Sequence, residues 1–149
     1  RVEAGKSAYL SPERINQEPP NPSSDVFALG AVLYELLTGV QAFQGHKSGD
    51  VFRNIKRGKF VSPQTRRPDI PDDLAQFVEQ SISPHVAGRS YGPIKRLSRR
   101  FSNRPLLRFA TAQDFLNALD NILVPLKGTS ERLGKLVGRL FPNPIHHDL

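Results

Sequence analysis

The strongest pattern of apolar and polar positions lies in residues 25–38. Apolar side chains recur there every three or four residues, which is typical of an α-helix. These side chains are Val26, Leu29, Val32, Leu33, Leu36 and Leu37. Asp25 and Glu35 are the charged residues of this segment. The pattern therefore predicts a helix that is apolar nearly all round and lies at the centre of the core.

The ends of this helix and the positions of further helices are also predicted. Ser23 or Ser24 is the expected N-cap, and Gly39 stands where a left-handed C-terminal residue is favoured. Thr111 with Asp114 predicts a capping-box-like start for a later helix. Weaker amphipathic patterns predict helices at 48–57, 71–82, 111–122 and 130–140. Prolines and glycines predict irregular chain at 1–24, 59–70 and 83–110. No convincing strand pattern occurs, so the predicted fold class is mainly α.

Composition limits the possible classes of protein. A chain of 149 residues with 38% hydrophobic and 23% charged residues fits one globular domain. It has no apolar run of about 18 residues and no export signal, so we expect a cytoplasmic location, although a longer parent protein anchored in a membrane stays open. The absence of Met predicts that the sequence is a piece of such a parent.

Composition also bears on metal sites. The chain has no cysteine, which excludes disulfides and thiolate metal ligands. The histidines are interpreted as surface residues because they lack partners at metal-ligand spacing. They are His46, His85, His146 and His147. No metal site is predicted.

The net charge of +7 is concentrated in one segment. Residues 81–112 contain no Asp or Glu, whereas seven Arg and Lys residues lie there. They are Arg89, Lys95, Arg96, Arg99, Arg100, Arg104 and Arg108. A solvated loop is the favoured interpretation, and a contact patch for an acidic partner or nucleic acid is the alternative. Nucleic acid is therefore not among the predicted partners.

Three phrases carry a resemblance to a known family. GKSAYLSPE, at 5–13, resembles the end of a protein-kinase activation segment, G-T-x-x-Y-[ML]-[AS]-P-E. SDVFALGAVLYELLTG, at 24–39, resembles the central helix of the kinase C-terminal lobe, and PLLRFATA, at 105–112, resembles the phrase that opens its last helix. Their order and spacing resemble those of a Ser/Thr protein kinase. The compact loops and the RFATA ending at 108–112 resemble the bacterial members of that family.

The resemblance implies a domain organisation and a fold. Residues 1–124 correspond to a partial kinase domain with a basic insert at about 83–104, and residues 125–149 to an extension with a short amphipathic helix. The implied fold is the helical C-terminal lobe of a kinase, without the N-terminal lobe and catalytic loop. That missing lobe and a protein substrate are the implied partners.

The resemblance also implies roles for individual residues. Structural roles fall on Glu13, Asp25, Gly30 and Arg108. Glu13 would form a buried ion pair with Arg108, and Asp25 would accept backbone hydrogen bonds from the catalytic loop; a simple helix-start acid is the alternative for Asp25. The implied substrate-docking loop consists of Gly5, Lys6, Ser7, Tyr9 and Leu10.

Phosphoryl transfer requires residues that these phrases do not include. The chain has no glycine-rich phosphate loop, no H-R-D phrase and no D-F-G phrase. We therefore predict no catalytic, cofactor or metal residue in this chain, and expect ATP and Mg²⁺ in the complete parent kinase. Lys6 replaces the usual threonine, as in some bacterial kinases. A non-catalytic pseudokinase or interaction module is the alternative to a Ser/Thr kinase fragment that supplies substrate docking and support.

Overall fold

The computed structural model describes residues 4–86 and 107–123 of the chain. These residues form helices joined by loops and contain no extended strand. The helices are α1 (Ala4–Ser7), α2 (Pro12–Ile15), α3 (Pro22–Thr38), α4 (Ser48–Lys56), α5 (Pro63–Arg66), α6 (Asp72–Ser81) and α7 (Ala112–Leu123). The mainly α fold class is confirmed for this part of the chain.

The core forms where α3 crosses α6, with α7 packed against both helices. Gly30 makes this crossing possible, since a Cβ atom at Gly30 would lie 2.5 Å from the Cβ of Ser81. Such a separation is well below van der Waals contact, so the two backbones approach each other more closely than any side chain at this position would permit. Phe27 and Val78 are completely buried beside this crossing.

The start of α3 differs from the sequence prediction. The helix begins at Pro22, and Asn21 is its N-cap, with Asn21 Oδ1 accepting a hydrogen bond from the Ser24 backbone N–H at 3.2 Å. Pro22 suits the first helical position because its ring presets φ and the missing N–H would have no partner there. The prediction of Ser23 or Ser24 as the cap is therefore wrong.

The predicted helix ends are otherwise present. Gly39 has φ of 76° and donates its N–H to the Glu35 carbonyl at 2.7 Å, which is the expected left-handed ending. The Thr111 backbone N–H donates to Asp114 Oδ2 at 3.2 Å and the Asp114 N–H donates to Thr111 Oγ1 at 3.1 Å, so this pair forms the predicted reciprocal cap of α7.

The segments predicted to be irregular contain single helical turns. Helices α1 and α2 lie within 1–24, and α5 lies within 59–70. Each of them has four residues. A turn this short is stabilised by its tertiary contacts and not by intrinsic propensity, so it leaves almost no periodic signal in the sequence.

Helix α3 contributes to the core, as predicted, but one of its apolar sides is exposed. Leu29, Val32 and Leu36 expose 49%, 44% and 57% of their surface. The described helices that pack on α3 are α5, α6 and α7, and they cover one side of it. Asp25 is also exposed and continues the same face one turn earlier. The described part of the chain thus leaves an apolar strip, Leu29–Val32–Leu36, on its central helix.

Two further predictions concern particular positions. His85 is not a surface residue, because only 3% of it is exposed and its carbonyl accepts the backbone N–H of Arg108 at 2.7 Å. His46 is exposed, as predicted. The helix predicted at 130–140, most of the basic insert and both remaining histidines lie outside the described residues.

Candidate functional site

A buried ion pair joins two segments that are far apart in the sequence. Arg108 Nη2 donates to both carboxylate oxygens of Glu13, each at 2.8 Å, and neither side chain is exposed. Ser24 Oγ donates a further hydrogen bond to Glu13 Oε1 at 2.8 Å. The contact that the resemblance implies is therefore present, and it links α2 to the loop before α7 and to the start of α3.

Several surrounding groups determine the electrostatics of this pair. Burial alone raises the pKa of Glu13, but the hydrogen bonds and charge of Arg108, with the hydrogen bond from Ser24, outweigh burial and hold the pKa below its usual value. The Arg108 guanidinium carbon also lies 5.3 Å from the centre of the Phe27 ring, within the range of a cation–π contact. Glu13 thus stays ionised inside the core at neutral pH.

The predicted docking loop lies directly before this pair. Gly5 and Lys6 belong to α1, and Lys6 is exposed. Ser7 is completely buried, whereas Tyr9 and Leu10 are half-buried. The loop is therefore anchored by buried groups while part of it remains accessible to another molecule.

Tyr9 connects the docking loop to the central helix. Its hydroxyl donates to Glu35 Oε2 on α3, and Gln41 Nε2 donates to the same hydroxyl at 3.2 Å. The hydrogen bond to Glu35 raises the pKa of Tyr9, and the bond from Gln41 opposes that rise. The loop is consequently tied to the core at Tyr9 as well as at Glu13.

The structure adds residues that the motifs did not single out. Glu35 and Gln41 hold Tyr9, and Ser24 completes the partners of Glu13. The signal for Glu35 was its charge in an otherwise apolar helix, since a carboxylate in such a place requires a partner. No comparable signal marked Gln41, because a glutamine after a helix is ordinary in a surface loop.

Gly30 and Asp25, the other two residues predicted to have structural roles, lie apart from the Glu13–Arg108 ion pair. Gly30 lies in the contact between α3 and α6, and Asp25 lies on the exposed face of α3. Neither of them contacts the ion pair through a hydrogen bond among the described residues. The roles that the resemblance implies for these positions stay predictions.

The described residues contain neither a cluster of metal-ligating side chains nor a membrane-spanning helix. Within 4–86 and 107–123, no three His, Asp or Glu side chains come together as a metal-binding group. No step of phosphoryl transfer is assigned to the described residues. No helix in this part of the chain is both long and apolar enough to cross a membrane.

Comparisons with known proteins agree with this geometry. A profile of the protein kinase domain matches residues 1–103. The serine/threonine-protein kinase PknD of Protochlamydia amoebophila is 32% identical over 101 residues, which make up 66% of this chain and 10% of that protein. The serine/threonine-protein kinase PkaB of Streptomyces coelicolor is 38% identical over 85 residues, 57% of this chain and 19% of that protein.

Another relative and a solved structure extend the comparison. The tyrosine-protein kinase MasK of Myxococcus xanthus is 29% identical over 122 residues, 82% of this chain and 16% of that protein. The twitchin kinase region of C. elegans superposes with a TM-score of 0.52 at 19% identity, over 81% of this chain and 22% of that one. The superposition concerns the fold, whereas the sequence relatives are bacterial kinases.

This chain belongs to the protein kinase family. The resemblance to the helical lobe of a bacterial Ser/Thr kinase is thereby confirmed. The chain spans a tenth to a fifth of the length of the curated relatives it matches.

Proposed function

We propose that this chain is the substrate-docking and supporting part of a kinase that transfers the γ-phosphate of ATP to Ser or Thr of a protein, and that it is inactive alone. The observation that carries the proposal is the double attachment of the docking loop. Glu13 binds Arg108 at one end, and Tyr9 binds Glu35 nearby. A loop held in this way keeps one conformation for a substrate, which lowers the entropy lost on binding.

The apolar strip Leu29–Val32–Leu36 supports the second half of the proposal. In the intact kinase we expect it to be covered by the remainder of the domain, including the N-terminal lobe and catalytic loop. Asp25 is exposed at the start of the same face, and it would accept backbone hydrogen bonds from that loop. ATP and Mg²⁺ would bind in that remainder, outside the described residues.

The experiment compares the 149-residue chain with the longer parent kinase that this proposal implies. Each is incubated with ATP, Mg²⁺ and a mixture of Ser, Thr and Tyr peptides, and the phosphorylated amino acids are identified. We expect phosphoserine or phosphothreonine from the longer protein and none from the chain alone. Phosphotyrosine would overturn the assignment of the acceptor, which matters because one relative carries the name of a tyrosine kinase.

A non-catalytic interaction module is the second candidate. The observation that favours it is Lys6, an exposed cation in place of the threonine hydroxyl expected in an active docking loop. A longer protein that folds, shows no transfer to any peptide and still binds a protein through this loop would establish it. Phosphoryl transfer by the wild-type longer protein, with Lys6 in place, would refute it.

A further inference from the structure

Helix α4 and the three residues that follow it carry a group of cationic side chains. They are Arg53, Lys56, Arg57 and Lys59, here called the cationic face. The first three are neighbours on the helix surface because they are separated by three and four positions. Gly58 then turns the chain with φ of 57°, and the Lys59 backbone N–H donates to the Asn54 carbonyl at 2.8 Å. Lys59 therefore stays beside the end of the helix.

The cationic face is incompletely neutralised. Asp50 Oδ1 accepts a hydrogen bond from Arg53 Nη1 at 3.2 Å. Within residues 4–86 and 107–123, Lys56, Arg57 and Lys59 form no ion pair with an acidic side chain. Arg57 and Lys59 are exposed, and Lys56 is half-buried. The surface thus presents an excess of positive charge to solvent.

Helix stability accounts for only part of this charge. A cation in the last turn of a helix interacts favourably with the helix dipole, which gives a structural reason for Lys56. Arg53 and Arg57, however, are like charges four positions apart, an arrangement that destabilises a helix. Lys59 lies after the helix, where the dipole effect has fallen off. The cluster as a whole therefore suits an external anion better than it suits the helix.

The position of α4 indicates which anion would reach it. Val51 and Ile55 are buried, and α4 packs against α1 and α2. Those two helices carry the docking loop and Glu13. A polypeptide bound along the docking loop would therefore lie near α4. Helical spacing puts the cations away from Val51 and Ile55, so a segment that extends beyond the docking loop would reach them.

We propose that the cationic face binds an acidic stretch of a polypeptide. The identification of that polypeptide as a substrate rests on the proposed function, whereas the binding itself does not. Charge complementarity is the reason: several carboxylates brought next to three unpaired cations gain attraction that a neutral or basic segment would lack. The kinase would thereby favour protein substrates with Asp or Glu near the acceptor residue.

The test measures binding of the 149-residue chain to a fluorescein-labelled peptide with a run of glutamates, by anisotropy. The matched peptide has glutamines in place of the glutamates. Lys56→Gln/Arg57→Gln removes two positive charges from the cationic face. The control, Gln113→Glu/Asn121→Asp, adds two negative charges at exposed positions of α7, which packs against α3 and α6. Both variants retain every basic residue of the segment 89–104.

We expect the acidic peptide to bind and the glutamine peptide to bind far more weakly. The α4 variant should bind the acidic peptide roughly fivefold to tenfold more weakly, and the control within about twofold of the wild type. The difference should shrink when the ionic strength rises from about 0.02 M to about 0.15 M, because exposed charges are screened. Circular dichroism at 222 nm verifies that both variants fold, and Lys59→Gln replaces the α4 variant if it does not.

Three results would overturn the proposal. Equal losses in the two variants would mean that net charge alone governs binding. Equal binding of the glutamate and glutamine peptides would mean that carboxylates are not recognised. Loss of binding to phosphatidylserine vesicles in the α4 variant, without loss of peptide binding, would assign the surface to a membrane. Because none of these measurements requires phosphoryl transfer, failure of the proposed kinase activity would leave this inference standing, and the reverse also holds.

Discussion

Replacing Arg108 with Met tests whether the buried ion pair supports this part of the domain. The substitution keeps an apolar stem of similar length and removes the guanidinium that donates to both Glu13 oxygens at 2.8 Å. Glu13 then remains inside the core with Ser24 as its hydrogen-bond donor. Water cannot replace the lost partner without opening the packing, since the Glu13 side chain is completely buried.

The expected loss of stability follows from the two states that the unpaired Glu13 carboxylate can adopt. It can stay ionised in the core or take up a proton. At pH 7, protonating a group with an ordinary Glu pKa of about 4.3 costs about 3.7 kcal/mol, at about 1.36 kcal/mol per unit. Protonation thus sets an upper limit on the charge penalty, and lost hydrogen bonds add to it. We therefore expect Arg108→Met to lower the free energy of unfolding by about 3–5 kcal/mol.

Urea denaturation followed by circular dichroism measures the loss, and a double-mutant cycle identifies its source. The double variant Glu13→Gln/Arg108→Met has no buried charge, so it should lose at least about 2 kcal/mol less than the two single variants together. Arg53→Met is the matched control, because it breaks the exposed pair with Asp50. Its expected cost is about 0.2–0.5 kcal/mol.

The pH dependence gives an independent measurement. Arg108 holds the folded-state pKa of Glu13 below its ordinary value, so in the wild type this group contributes stability above the unfolded pKa that is lost as pH falls through the folded pKa. In Arg108→Met the folded pKa should instead be raised by burial. That variant should therefore gain stability relative to the wild type as pH falls from 7 toward 4. A loss below about 1 kcal/mol at pH 7, together with parallel pH profiles, would refute the reasoning.

Three further predictions concern packing, capping and the docking loop. Gly30→Ala should lower the free energy of unfolding by about 1–3 kcal/mol, since its new methyl group would overlap α6. Gly49→Ala, whose new methyl group would meet no atom within 4 Å, should be neutral or stabilising by up to about 1 kcal/mol. Equal effects of the two substitutions in urea denaturation would contradict the packing argument. Asn21→Ala should lower the free energy of unfolding by about 1 kcal/mol, whereas Asn21→Asp keeps the capping oxygen and should lower it less. Equal losses in the two variants would show that the Asn21 oxygen does not stabilise the start of α3. The Tyr9 phenol should ionise above its usual pKa because its hydroxyl donates a hydrogen bond to Glu35. Absorbance at 295 nm, as the difference between wild type and Tyr9→Phe, measures this ionisation, and ionisation at the ordinary pKa would argue against the hydrogen bond.

The sequence by itself determined which segments form the longer helices. Helical periodicity places Val26 and the buried face of α3, and the Thr111–Asp114 pair is visible from its spacing. These signals are local: they depend on side chains three or four positions apart, which a single sequence displays directly. The N-cap of α3 was not determined by the sequence, because Asn, Ser and Pro near a helix start are all acceptable and only backbone geometry selects Asn21.

Contacts between distant segments were decided by the tertiary structure. The motifs implied that Glu13 meets Arg108, but the participation of Ser24 and the joining of Tyr9 to Glu35 and Gln41 required the folded chain. The short helices α1, α2 and α5 also required it, because a single turn is stable only when other elements pack on it.

Exposure likewise depends on the fold. Apolar periodicity assigned Leu29, Val32 and Leu36 to the core, yet the described helices cover only the opposite side of α3. His85 was assigned to the surface and is buried against the Arg108 backbone. The hydrophobicity of a side chain indicates whether it favours a buried environment, whereas its actual burial depends on which elements pack against it. The sequence alone therefore determined the longer helices and the family phrases, and only the folded chain decided which faces, partners and charges meet.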